Sequence, residues 1–145
     1  MTSITTAGAA CVMCDKYGRS DGPLHIADLD LSRAFLHEDQ FFPGYALLVL
    51  RRHVTELYEL PAPERATLME EVSRVAQALA RSFHPVKMNY ELLGNLVPHI
   101  HWHLVPRLPT DPALRSPIWT VAHDAAPLAP AAARERIEMI RRALA

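Results

Sequence analysis

From Pro63 to Ser82 the apolar residues recur every three or four positions, at Leu68, Met69, Val72, Val75, Ala76, Leu79 and Phe83, and this spacing predicts an amphipathic helix. His84-Pro85 should end it, because proline offers no N–H to the helical ladder. Tyr45 to Leu50, Y-A-L-L-V-L, is a short apolar run between the turn pair Pro43-Gly44 and Arg51-Arg52, which suits a buried strand. Val86 to Leu93 and His99 to Val105 read as two further strands around Gly94-Asn95, with Pro98 tolerable at a strand's edge. Residues 24–38 hold room for two short strands, and a last helix is expected over 131–144. Between them, residues 106–130 carry six of the twelve prolines and little periodicity, so an irregular wrap is expected, with Trp119 as an apolar anchor. Strands that pair locally beside one long helix and a C-terminal helix make an α+β fold on a mostly antiparallel sheet.

Composition narrows the picture. At 145 residues and half hydrophobic, the chain is sized for a single domain, 1–145, with the small, polar residues 1–10 expected to be loose. A formal charge of -1 provides no positive field for nucleic acid or an anionic membrane, so neither is an expected partner. The N-terminal residues lack the basic start and apolar run of a secretory signal, and no long apolar stretch could span a bilayer, so the cytoplasm is the expected location.

The chemistry concentrates in P-H-I-H-W-H-L-V-P, residues 98–106. On a strand, alternate side chains share a face at a spacing of about 6.6–7 Å, so His99, His101 and His103 would project together. A solvent-facing polar row is the plain alternative, but histidine has no special preference for strands that would produce three in alternation. Two functional readings remain open on this evidence. The imidazoles could converge on a catalytic metal, or one could act as nucleophile while its neighbours handle protons.

The run H-I-H-W-H-L-V is similar to the alternating signature of the histidine triad (HIT) nucleotide hydrolases and transferases. P-G-Y-A-L-L-V-L-R-R-H-V resembles that family's central strand, and N-Y-E-L-L-G-N-L-V-P resembles its lead into the triad, so the likeness spans roughly residues 11–107. It implies an enzyme that cleaves at the α-phosphate of a nucleoside phosphoramidate or dinucleoside polyphosphate. A nucleotidyl-histidine intermediate would form on His101 and release a nucleoside monophosphate, with His103 the proton donor to the leaving group. Asn95, and Asn89 with a spacing one residue tighter, would hold substrate. Tyr45 stands where many members carry a histidine, and would orient an active-site group through its phenol. The likeness also implies a ribose-contacting acid within residues 36–39, a base pocket near Leu29, Leu31 or Phe35, no organic cofactor, and a homodimer made by joining sheets.

Cys11 and Cys14 form a C-V-M-C pair that fits a redox dithiol or half a zinc site. The pair precedes any recognisable strand and so lacks the βαβ context of a redox motif, which favours zinc. A structural zinc needs four nitrogen or sulfur ligands, and some members of the resembled family bind it in a pattern that Cys11, Cys14, His53 and His99 match. His25, His37, His84 and His123 fit no such pattern and are expected at the surface or in loops. A zinc-dependent hydrolase using all three strand histidines as ligands, and a nucleotide-binding module without turnover, are the competing accounts.

Overall fold

The computed structural model describes residues 10–145, so the expected loose segment 1–10 lies, but for its last residue, outside the described residues. The elements in chain order are α1 (Val12–Tyr17), β1 (His25–Asp28), β2 (Ser32–Leu36), β3 (Ala46–Leu50), α2 (Ala62–Phe83), β4 (Lys87–Leu92), β5 (His101–Arg107) and α3 (Pro130–Leu144). The five strands form one sheet in the order β1-β2-β3-β5-β4, with every neighbouring pair antiparallel. This is an α+β fold whose sheet is wholly antiparallel.

Alternation along the strands divides the sheet into two faces. Ala34, Leu36, Ala46, Leu48 and Leu104 point to one side, where Val72, Val75, Ala76 and Leu79 of α2 and Ile137 and Ile140 of α3 cover them. Leu48 is fully buried there, and truncating it to alanine would cost about 2–5 kcal/mol. Phe35, Leu47, Val49 and Val105 point to the other side, beside Met13 and Tyr17 of α1 and Ile118. In the β3–β5 register Leu47 faces His103 and Val49 faces His101, so both imidazoles belong to this second face.

The long helix extends one residue beyond each predicted end. It terminates at His84, which takes the left-handed conformation at φ 51° while its N–H caps the Ala80 carbonyl. Of the apolar positions that define its stripe, Met69 alone among the helix's large apolar residues is freely exposed; the buried Glu71 sits on the core face instead, accepting bonds from the Leu31 N–H and the Ser32 hydroxyl. At the Pro43-Gly44 turn, Gly44 has φ 86°, and a Cβ there would come within 2.7 Å of the Phe83 ring. That turn delivers Tyr45 to the second face, immediately before β3.

Three expectations need correction. The last strand begins at His101 and not His99, because residues 97–100 follow another path: the His99 N–H bonds back to the Val97 carbonyl and the Ile100 N–H to that of Val54. The cysteine pair opens a short helix, α1, where no regular element was expected. Trp119 is 54% exposed and is not an apolar anchor; Ile118 beside it takes that place in the core. The wrap after β5 is held by Arg107, which is buried and donates to Asp111, Asn89 and the carbonyls of Ala113 and Ser116.

Candidate active site and metal cluster

The second face of the sheet opens into a cleft of about 400 Å³ lined by His37, Asp39, Tyr45, Asn95, His101, His103, Trp119 and His123 among others. His101 has its tautomer set by a single bond. Its Nδ1 lies 2.6 Å from the His99 carbonyl oxygen, and a carbonyl only accepts, so Nδ1 carries the proton. The lone pair is therefore on Nε2, the arrangement a nucleophilic imidazole needs.

His103 stands opposite Leu47 on the same strand, its ring centroid 5.0 Å from that of His101. Its Nδ1 is 2.6 Å from the Tyr45 hydroxyl. Burial, then the neighbouring His101 and His37, pull its pKa down to about 4, so the free protein holds it neutral. Burial likewise raises the Tyr45 phenol well above its ordinary value, which keeps its proton in place. Tyr45 is stacked on His37 at 4.0 Å, and burial lowers the His37 pKa.

The far wall comes from the wrap. His123 stacks on Phe41 at 3.9 Å and bonds through Nε2 to Asp39 at 2.8 Å; the Asp39 bond raises the His123 pKa above its ordinary value. Asp39 also accepts from the N–H groups of Phe41 and Ala126, tying the wrap to the loop before β3. A second cavity of about 400 Å³ adjoins this wall, sharing His37 and Asp39 and bounded by Leu24, Leu36, Gln40 and Leu128.

His99 faces away from the cleft. Its Nε2 is 2.7 Å from the Leu50 carbonyl, which fixes the proton there and leaves the Nδ1 lone pair free. Nδ1 lies 3.5 Å from the sulfurs of both Cys11 and Cys14 and 3.2 Å from Nδ1 of His53, with His53 3.7 Å from Cys14. All four ligand atoms fall within 4.8 Å of one another. A tetrahedral ion with metal–nitrogen distances of about 2.0–2.1 Å and metal–sulfur distances of about 2.3 Å has edges of roughly 3.3–3.8 Å, close to this spacing. The cluster can hold a metal ion. Burial lowers the His99 pKa and so favours the neutral ligand form, while desolvation and then Cys11 push the Cys14 thiol up to about 11, so an incoming ion would displace its proton.

The structure thus brings Cys11, Cys14, His53 and His99 into one cluster, and Tyr45, Asn95, His101 and His103 into one cleft. Asn89 is not in that cleft: its Oδ1 accepts from Arg107, one step further along the sheet. Leu29 and Phe35 are core residues, and Leu31 packs beside Leu50, so none lines the cleft. His37 and His123, expected at the surface or in loops, lie in loops that line it. His37 sits two positions before Asp39, within the stretch where the ribose-contacting acid was sought; His123 carried no local signal at all.

Residues 24–110 match the family model of the HIT domain, and the chain belongs to that family. It is 27% identical over 100 residues to an adenosine 5'-monophosphoramidase of Schizosaccharomyces pombe, a match covering 68% of this chain and 74% of that one. A bis(5'-nucleosyl)-tetraphosphatase of the same yeast is 31% identical over 86 residues, covering 56% of this chain and 47% of the other. Among solved structures, a histidine triad protein of Bradyrhizobium japonicum superimposes with a TM-score of 0.74 at 34% identity, covering 83% of this chain and 90% of its own. Another from Sinorhizobium meliloti gives 0.76 at 29% identity, covering 82% and 87%. No helix among the described residues is long and apolar enough to cross a membrane.

Proposed function

We propose that this chain is a nucleotide hydrolase that cleaves at the α-phosphate of a nucleoside phosphoramidate or dinucleoside polyphosphate, through a nucleotidyl intermediate on His101. The observation that carries the reading is the bond from His101 Nδ1 to the His99 carbonyl, which presents Nε2 as the nucleophile. Similarity to a phosphoramidase and a tetraphosphatase supports the substrate class.

In the first step Nε2 bonds to phosphorus and the bond to the leaving group breaks. His103 is neutral in the free protein, but an anionic phosphate beside it favours the imidazolium, which gives its proton to the departing group. Water then attacks phosphorus, the bond to Nε2 breaks, and His103 recovers a proton from that water. Tyr45 orients His103 through the phenol, and Asn95, with nearby backbone N–H groups, binds phosphate oxygens. Asn89 acts at a remove, by bracing Arg107.

Cys11, Cys14, His53 and His99 hold a structural zinc in this reading, since two thiolates and two imidazoles suit that ion above hard cations. Bound there, zinc would supply a crosslink between α1, the segment after β3 and the approach to β5. The rival account, with all three histidines of the motif on one catalytic metal, fits poorly because His99 turns toward the thiols and away from the other two. β4 is an edge strand with a half-exposed Tyr90, which is compatible with a homodimer joined sheet to sheet, testable by light scattering.

The test is to quench the protein with a slowly cleaved adenylated substrate and weigh its peptides. An AMP-sized adduct on the peptide containing His101 supports the reading; turnover without any adduct favours metal hydrolysis, and binding without turnover a non-catalytic module.

A further inference from the structure

Two residues of the cleft, Asp39 and His123, take no part in the mechanism above, and they join its loop wall to the loop before β3. His123 has an acceptor on each ring nitrogen: Nδ1 lies 3.0 Å from the Val121 carbonyl oxygen and Nε2 2.8 Å from Oδ2 of Asp39. A neutral imidazole has one N–H to give, so only the imidazolium can make both bonds. The surroundings suit that charge. The ring lies on Phe41, with centroids 3.9 Å apart and planes 18° from parallel, and Phe42 stands edge-on at 5.8 Å. Burial works against the Asp39 carboxylate, but bonds from Ala126, Phe41 and His123 outweigh it and hold its pKa below the ordinary value. Asp124 adds a second acid beside the ring. The other titratable side chains lining the cleft are His37, Tyr45, His101 and His103, and no lysine or arginine lines it. Burial lowers the pKa of His37 and of His103, so neither repels a neighbouring cation at neutral pH.

The two partners differ in how firmly they are held. On the Asp39 side, buried Gln40 donates to the carbonyls of His37 and Tyr45 and accepts from the Gly44 N–H and from Arg136, which fixes the loop before β3. On the other side, the wrap is tied at Trp119, whose indole N–H donates to Glu91, and at Ala126, which donates to Asp39 and accepts from the Gln40 N–H. Between those ties, residues 120–125 bond within the wrap, Thr120 to Pro117 and Val121 to Ile118. Among the described residues, their one hydrogen bond to the rest of the protein is from His123 to Asp39. Ile118, Trp119 and His123 all line the cleft, so this bond decides where its loop wall stands.

We propose that His123 is a positioning residue for nucleotide binding: as an imidazolium it fastens the wrap to Asp39, and the cleft loses affinity when the ring gives up its proton. The proposal rests on the reading of the cleft as a nucleotide site, but not on the identity of the nucleophile. A neutral ring must choose between the Val121 carbonyl and Asp39, and it no longer carries the charge that strengthens the bond to the carboxylate. The coupling is reciprocal, so a bound nucleotide must hold the proton on His123 more tightly.

The probe is the methyl ester of AMP, whose phosphodiester keeps one negative charge at every pH used. Its affinity for the full chain is measured above and below the ordinary histidine value of about 6.5, beside the titration of the His123 ring followed by NMR. His123 should keep its proton beyond about 6.5, and further still with the probe bound. As the pH rises through that titration, the wild-type affinity should fall about 5- to 10-fold more than that of His123→Gln, whose amide donates to Asp39 at any pH. His123→Phe, which keeps a ring on Phe41 and has no bond to give, should bind throughout as weakly as the wild type does at high pH. Deprotonation of His123 at or below about 6.5, parallel profiles for wild type and His123→Gln, or tight binding by His123→Phe overturns the proposal while leaving the nucleotidyl reading intact. If the wild type binds the probe at no pH, both fall.

Discussion

His99 and His103 lie four residues apart on one segment of chain, carry the same side chain, and have been given opposite surroundings. His99 is enclosed by two sulfurs and a second imidazole, with its Nε2 on a carbonyl that permits one tautomer only. His103 is next to an open cleft, and its Nδ1 meets a phenol that can give or take a hydrogen bond. A carbonyl partner locks an imidazole into one role, as a ligand or a nucleophile. A phenol partner leaves it free to pass a proton in both directions, which is what a group acting first as acid and then as base requires. His101, between them, has a carbonyl partner like His99 but on the opposite nitrogen, so its lone pair is presented from the other side of the ring.

The comparison breaks most sharply at His101. Its replacement by alanine should lower AMP release from adenosine phosphoramidate by on the order of 10⁴-fold or more, with circular dichroism unchanged. Activity retained within tenfold would remove His101 from the nucleophile's role. At the ligand end, Cys14→Ser should take zinc content from about one ion per chain to below about a tenth, whereas His103→Asn should leave it full. Elemental analysis of both variants, expressed with zinc present, decides whether the two histidines are as separate as their surroundings suggest.

A smaller effect is expected at the phenol. Tyr45→Phe preserves the ring stacked on His37 and removes one hydrogen bond to His103, so kcat should fall about tenfold, equivalent to roughly 1.4 kcal/mol. An unchanged kcat would mean that His103 needs no orienting partner. The finest test is in stability. The folded pKa of His103, about 4, lies below the ordinary 6.5, so between those values the unfolded chain binds more protons. Its contribution to stability is complete above about 6.5 and is lost as the pH falls toward 4. The urea midpoint of the wild-type protein should therefore decline across that window more steeply than that of His103→Asn; parallel curves would show that His103 is not held neutral.

How much of this could be read beforehand depended on sequence distance. The helix α2 and the strand β3 were legible because their periodicity is local and their ends are marked by Pro85 and by Pro43-Gly44. The C-terminal helix was placed within one residue for the same reason. The metal cluster required His53 and His99 to be paired with cysteines some forty and eighty-five residues earlier, and only a family pattern bridges such gaps. The wrap defeated pattern reading. It has no period, its path follows from a buried guanidinium, and so the places of Trp119 and His123 in the cleft were invisible. Even the three-histidine row was over-simple, since backbone bonds at Val97 and Val54 take His99 out of the strand before its face can be counted.

Arg107 is both the last residue of β5 and the post to which the following loop is tied. Everything on its N-terminal side, from His99 to Val105, is built into the sheet and the metal cluster, whereas Trp119 and His123 hang beyond it on a loop with no ladder of its own. The cleft thus has two parts along the chain, one on the ladder of the sheet and one on the loop beyond it, joined at one guanidinium. Exchanging the segment between Leu108 and Ala129 on this anchor should therefore change what the cleft admits while leaving the setting of His101 and His103 intact.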